Sequence, residues 1–262
     1  MERDVVGRRV EGVTVRFGGR LNLKPAAFAK SLSGAVLVSS GRRAKLLILG
    51  FSNGYSLVAH LKMTGRFLLV PAGSPPTKHT HVVFRLSGGK ELHFEDVRKF
   101  GYLRLYRTGD LAREVFDKEA YGPEPLDPSF TAARFAMCVR GRGKKRIKPL
   151  LMEQTCIAGI GNIYADESLW RARIRPQRKA GSLDETELRR LHDAVRRSLR
   201  QSLGLRGTSA DTYVDLYGRK GDNLARLKAY GRQGKPCGRC GGPIKKITFA
   251  GRGTHFCPAC QK

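Results

Sequence analysis

Long apolar runs are missing from this sequence. No stretch approaches the roughly 18 residues needed to span a bilayer, and the N-terminus lacks the apolar core of a secretory signal, so a cytoplasmic protein is expected. Carboxylates are scarce as well: 22 Asp and Glu stand against 50 Lys and Arg, leaving a formal net charge of +28. That imbalance makes a polyanion the natural partner. The cations are not confined to one amphipathic helix and no lipidation motif is present, which argues against a membrane surface and for nucleic acid. Cysteine is used six times. Cys138 and Cys156 stand alone, while Cys237, Cys240, Cys257 and Cys260 form two C-x-x-C pairs. In a reducing compartment the pairs imply a metal, and the two solitary residues read as buried apolar thiols.

At 262 residues the chain is long enough for more than one domain. Its beginning, MERDVVGRRVEGVTVRF, alternates apolar and polar residues from Val5 in the manner of a strand. GAVLVSS, AKLLILGF, YSLVAHLKM, RFLLVP, HVVFRL, ELHFED and YLRLYR follow, separated by turn residues, and predict a β-sandwich or barrel over residues 1–120. Three prolines in YGPEPLDPSF mark residues 121–130 as a linker.

Residues 131–222 read as helical. Ile147, Leu150 and Leu151 share a face; Ile163, Trp170 and Ile174 recur near helical spacing; and a third helix starts at Asp184, which forms a capping box with Glu187 and buries Leu188, Leu191, Val195 and Leu199. A long polar loop closes this region, and residues 223–262 carry the paired cysteines.

The cysteine pattern carries the strongest chemistry. CGRC and CPAC supply four thiolates for one tetrahedral Zn²⁺, a closed and therefore structural site, with the intervening segment a hairpin turning at Gly251, Arg252 and Gly253. After Asp222 no carboxylate side chain occurs, so Arg252 is expected to press against phosphates. In GIGNIYADE, glycines precede a helix start, a ready phosphate site with Asn162 as N-cap or direct donor. The basic segment VRGRGKKRIKP lies just upstream. Lys45 in RRAK, His60, Lys62 and Met63 in HLKM, and Arg98, Lys99 and Phe100 in FEDVRKFG combine cations with apolar wedges, the equipment for kinking DNA and everting a base.

With VGRRVEG, RRAK, HLKMTG, KHTHV, DVRKFG, PLLMEQ, GIGNIYADE and the cysteine ribbon in place, nearly the whole chain resembles the formamidopyrimidine-DNA glycosylase family. These are bifunctional enzymes that remove oxidised purines and nick the abasic strand. The resemblance implies an α+β protein with an N-terminal β-sandwich, a helix-two-turn-helix domain and a C-terminal zinc ribbon, acting as a monomer on double-stranded DNA with oxidised-purine or abasic lesions. It assigns phosphate contacts to Lys45, His60, Asn162 and Arg252, and filling of the duplex void to Met63, Arg98 and Phe100. TSADTYVDLYGRKGD matches the segment that covers the extruded base and, with the void-filling trio, places the chain in the purine branch and not the endonuclease VIII branch.

In the family an N-terminal proline attacks the sugar and the glutamate after it acts as acid. This sequence shows neither: VVGRR aligns with the end of the family's first helix, about a dozen residues beyond that pair. Met1 and Glu2 would lie roughly 18 Å of helix away from the catalytic positions. The expectation is a start called too late, with a noncatalytic damaged-DNA-binding protein as the alternative and Lys45 as an auxiliary amine for abasic-strand nicking.

Overall fold

Alternation of apolar and polar residues over short segments bounded by turns gives antiparallel strands, and in this computed structural model eight of them form two four-stranded sheets. The structure describes residues 1–210 and 212–262; Asp211, within the expected lesion-covering loop, lies outside the described residues. Two compact units emerge: Met1–Lys118 with Thr208–Gly221, and Glu119–Gly207 with Asp222–Lys262.

The first unit contains β1 (Val10–Val15), β2 (Leu37–Arg43), β3 (Leu46–Phe51), β4 (Tyr55–His60), β5 (Gly65–Pro71), β6 (Thr80–Leu86), β7 (Lys90–Asp96) and β8 (Tyr102–Arg107). Their orders are β1-β6-β7-β5 and β2-β3-β4-β8. Phe84, Leu92 and Phe94 from one sheet share a single buried core with Leu37, Leu49, Leu57 and Leu103 from the other, which makes the pair a sandwich. The expected strand at the extreme N-terminus is corrected in part. Glu2–Val5 is a helical turn, α1, which buries Val5 in the sandwich core, and Gly7 at φ +89° redirects the chain before β1 begins. Five residues of alternation are too few to separate a strand from a turn of helix. A helix the pattern reading passed over, α2 (Pro25–Leu32), carries Pro25 in its first turn and buries Phe28 and Leu32 four residues apart.

The second unit contains α3 (Ala132–Arg140), α4 (Ile147–Leu151), α5 (Asn162–Ala172), α6 (Glu185–Gly204) and the hairpin β9 (Lys245–Phe249) and β10 (Arg252–Phe256). The Asp184–Glu187 capping box starts α6 as expected, and Leu188, Leu191 and Val195 are buried with Leu199 packed beside them. Two expectations fail here. The hairpin turns at Ala250 and Gly251, both at positive φ, so Arg252 is the first residue of β10, opposite Phe249. Cys138 and Cys156 are joined by a disulfide, because α3 packs beside the turn that follows α4 and brings together thiols that sequence spacing cannot relate.

Candidate nucleic-acid interface

In the first unit, Lys45 lies exposed in the turn from β2 to β3, after Ala44 at φ +53°. His60 ends β4 directly opposite Leu46, the residue after Lys45. Its Nδ1 accepts the Lys62 backbone N–H at 2.9 Å, so the neutral ring carries its proton on Nε2 and can donate from there. Burial first, and then the positive charges of Lys62 and Lys45, lower the His60 pKa from 6.5 to about 4. The site therefore offers phosphate one neutral donor between two cations.

The three expected void-filling residues are brought together. Arg98 lies 4.7 Å above the Phe100 ring and its Nη1 is 3.0 Å from Met63 Sδ. Met63 is 57% exposed and Phe100 45%, a large apolar area left open beside a cation. Buried Asp96 shapes this loop: it accepts the N–H groups of Arg98 at 3.1 Å and Gly101 at 2.7 Å, together with the Thr64 hydroxyl. The 208–221 segment belongs to this unit. Leu69 N–H donates to Leu216 O at 2.8 Å, Thr212 Oγ1 donates to Met63 O at 3.1 Å, and the Tyr217 hydroxyl bonds Asp4.

In the second unit Asn162 is the first residue of α5, and Gly161 is the N-cap, which corrects the expectation that Asn162 caps the helix. Asn162 Nδ2 instead donates to Gly253 O at 3.0 Å, beside Arg252. Lys148 reaches the same backbone: its Nζ is 3.0 Å from Gly253 O, 2.7 Å from Thr254 Oγ1 and 2.7 Å from Asp166 Oδ1. Asp166 also accepts the His255 N–H at 2.9 Å and faces His255 Nδ1 at 3.2 Å. Lys148 is 1% exposed and Asp166 0%. Burial pushes the Lys148 pKa down, the Asp166 charge holds it up, and the nearby Arg252 guanidinium lowers it again.

The neighbouring Glu167, equally buried, accepts the backbone N–H groups of Lys228, Ala229 and Tyr230, fixing the segment that leads into the ribbon. Lys62, Lys99 and the GIGN glycines were legible as interface residues. Asp96, Lys148, Asp166 and Glu167 were not singled out, although all four lie inside segments the sequence marks as basic or glycine-rich: FEDVRKFG, VRGRGKKRIKP and GIGNIYADE.

The four ribbon cysteines lie with their sulfurs within 4.8 Å of one another. A tetrahedral zinc with bonds of roughly 2.3 Å sets its sulfurs about 3.8 Å apart, and the Cys240–Cys257 and Cys237–Cys260 separations of 3.5 and 4.0 Å fit it. Burial opposes ionisation of Cys237, but the N–H groups of Arg239, Trp170 and Cys240 outweigh it and bring its pKa to about 6. Trp170 Nε1–H lies 3.4 Å from Cys237 Sγ, and Arg239 covers the indole at 3.9 Å. The donor set is divided: Cys237 is turned toward thiolate, whereas burial raises the Cys257 pKa and hydrogen bonding with Cys240 raises that of Cys260, a crowding of sulfurs that a bound Zn²⁺ would offset.

Profiles of the Formamidopyrimidine-DNA glycosylase N-terminal domain, the Formamidopyrimidine-DNA glycosylase H2TH domain and the Zinc finger found in FPG and IleRS match residues 1–103, 121–214 and 234–262. The Formamidopyrimidine-DNA glycosylase of Herpetosiphon aurantiacus is 43% identical over 100% of this chain and 95% of its own length. This chain belongs to the formamidopyrimidine-DNA glycosylase family. The Roseiflexus sp. Formamidopyrimidine-DNA glycosylase is 48% identical over 91% of this chain and 86% of its own. A Lactococcus lactis Fpg bound to abasic-site DNA matches with a TM-score of 0.94 at 37% identity, over 100% of this chain and 95% of that one. The Lactococcus lactis FPG complex with FAPY-dG-containing DNA gives 0.93 at 36% over the same shares. The sandwich, the helical region and the cysteine ribbon are those of the glycosylase family, and the ribbon holds one structural zinc.

Proposed function

We infer that this member of the glycosylase family is a base-excision repair enzyme that removes oxidised purines, 8-oxoguanine and formamidopyrimidines among them, and cleaves the abasic strand by elimination. The observation that carries this reading is the Met63–Arg98–Phe100 cluster, an exposed apolar wedge with a stacked cation, on a chain of net charge +28. Such a wedge takes the place of an everted nucleotide, and eversion is easiest where a base is already damaged.

Lys45, neutral His60, Asn162 and Arg252 contact phosphates around that nucleotide, and residues 208–222 cover the extruded base. The family assigns base expulsion to a proline amine with a glutamate as acid, and Lys45 is the auxiliary amine for abasic-site nicking. Zinc, when bound, holds the ribbon's backbone and does no chemistry on DNA. By task the chain divides into residues 1–120, 121–130, 131–222 and 223–262, although residues 208–221 pack with the first unit and not with the helices, and the enzyme works as a cytoplasmic monomer on chromosomal DNA.

The test compares duplexes with and without an abasic or 8-oxoguanine site. Arg252→Ala should weaken binding to both and lower the salt slope by about 1, whereas Phe100→Ala should erode the preference for damage. A polypeptide carrying a family-like proline–glutamate segment ahead of Met1 should excise and be trapped on DNA by borohydride. Equal affinity for intact and damaged duplexes would refute the reading; binding without excision by the extended form would identify a noncatalytic lesion binder.

A further inference from the structure

Cys138 and Cys156 take no part in the interface. Their bond links α3 to the turn after α4 across a sequence separation of 18, with Cα atoms 5.9 Å apart. The two sulfurs are placed unequally. Cys156 is 1% exposed, whereas Cys138 is only partly buried, and Arg142 Nη1 lies 3.0 Å from Cys138 Sγ. A guanidinium at that distance favours the Cys138 thiolate whenever the bond is open. Glu153 faces Arg142 at 3.7 Å and Lys145 at 2.5 Å, so one carboxylate is shared between two cations.

The turn itself presents the start of α5. Gln154 bonds Met152 O, Ile160 O and the Gly159 N–H within it, and Gly122 packs so tightly that a Cβ there would lie 2.6 Å from the Cys156 backbone.

We propose that Cys138 and Cys156 form a reversible oxidation site, in which Cys138 reacts with hydroperoxide, Cys156 resolves it, and the resulting disulfide braces the turn that carries Asn162. The Cys138 thiolate attacks one peroxide oxygen; the O–O bond breaks, hydroxide leaves and a sulfenic acid forms. The Cys156 sulfur then attacks the Cys138 sulfur, and the sulfenic oxygen departs with the Cys156 proton as water. In sum two thiols lose two electrons, one hydrogen peroxide becomes two waters, and a dithiol reverses the process. Buried Cys156 is protected from direct attack, and the brace lets a protein exposed to oxidants hold its helix start while the oxidant is present.

Zinc-loaded full chain is reduced, treated with hydrogen peroxide, alkylated and digested. A linked peptide pair containing Cys138 and Cys156 should appear, reversed by dithiothreitol, with zinc retained. Cys156→Ser should stop at a sulfenic acid on Cys138 that dimedone traps, Cys138→Ser should give neither product, and Arg142→Gln should slow the reaction several-fold. The oxidised protein should melt about 5 °C above the reduced one, a difference absent in either serine variant. Free alkylation of both cysteines after peroxide, or equal reactivity of the Cys138→Ser variant, would overturn the site. Equal melting of the linked and reduced forms would overturn the bracing role.

Discussion

Asp166 is fully buried, an uncommon place for a carboxylate. Its partners explain why: Lys148 and the His255 backbone and ring surround it, and each in turn touches β10 or the backbone beside Arg252. Replacing Asp166 by Asn leaves Lys148 buried without a counter-charge, which costs about 3–5 kcal/mol. Urea unfolding should show that loss, and DNA affinity should fall as for Arg252→Ala without any change to a phosphate-facing side chain. His60 gives a second test at this scale. Its folded pKa of about 4 lies below the ordinary 6.5, and a phosphate beside it removes the repulsion of Lys45 and Lys62 and favours the charged ring. Burial, the larger cause, persists, so DNA binding should take up a proton only as pH falls below the ordinary 6.5 toward 4, strengthening as it does, with no uptake near pH 8. Titration calorimetry in buffers of differing ionisation enthalpy measures it, and His60→Gln should remove that part of the pH dependence.

Elements differ in how plainly the sequence announces them. The capping box at Asp184 and the apolar stripe of α6 are local signals, and the helix forms where they predict it. The same is true of the strands, whose alternation is set within each segment. The turn at Ala250–Gly251 was displaced by one residue, because Gly251 and Gly253 are equally able to turn and only strand pairing decides between them. The position of Arg252 depends on that outcome: as the first residue of β10 it is held by the ladder, and not by the looser geometry of a turn. The cations proposed to meet phosphate and the apolar wedge were legible because charge and apolarity are properties of the residue itself. Asp96 and Asp166 were not, because a buried carboxylate acquires its role only from backbone groups that arrive from distant segments, such as His255 for Asp166. A tighter test of the hairpin follows. Replacing Gly251, at φ +70°, by Val should strain the turn and weaken DNA binding while leaving the α6 core intact, as judged by helical circular dichroism and a duplex-binding titration.

Across the whole molecule, positive charge is spread over both units while order is imposed locally by a few buried carboxyl groups and one metal. Purified protein should contain one zinc per chain, and chelation should abolish the ribbon's contribution to DNA binding, since a core of Trp170, Ala229, Cys237, Ile244 and Cys257 is too slight to fold unaided. Trp170 gives that core an optical property. It is the only tryptophan in 262 residues, its indole proton points at a zinc-ligating sulfur, and a guanidinium lies across its face. Intrinsic emission excited at the red edge of protein absorption thus originates from one ring next to the metal. Removing zinc should change its intensity and wavelength, and restoring zinc should return them. The enzyme carries its own fluorescent gauge of metal loading, readable without a label while it sits on DNA.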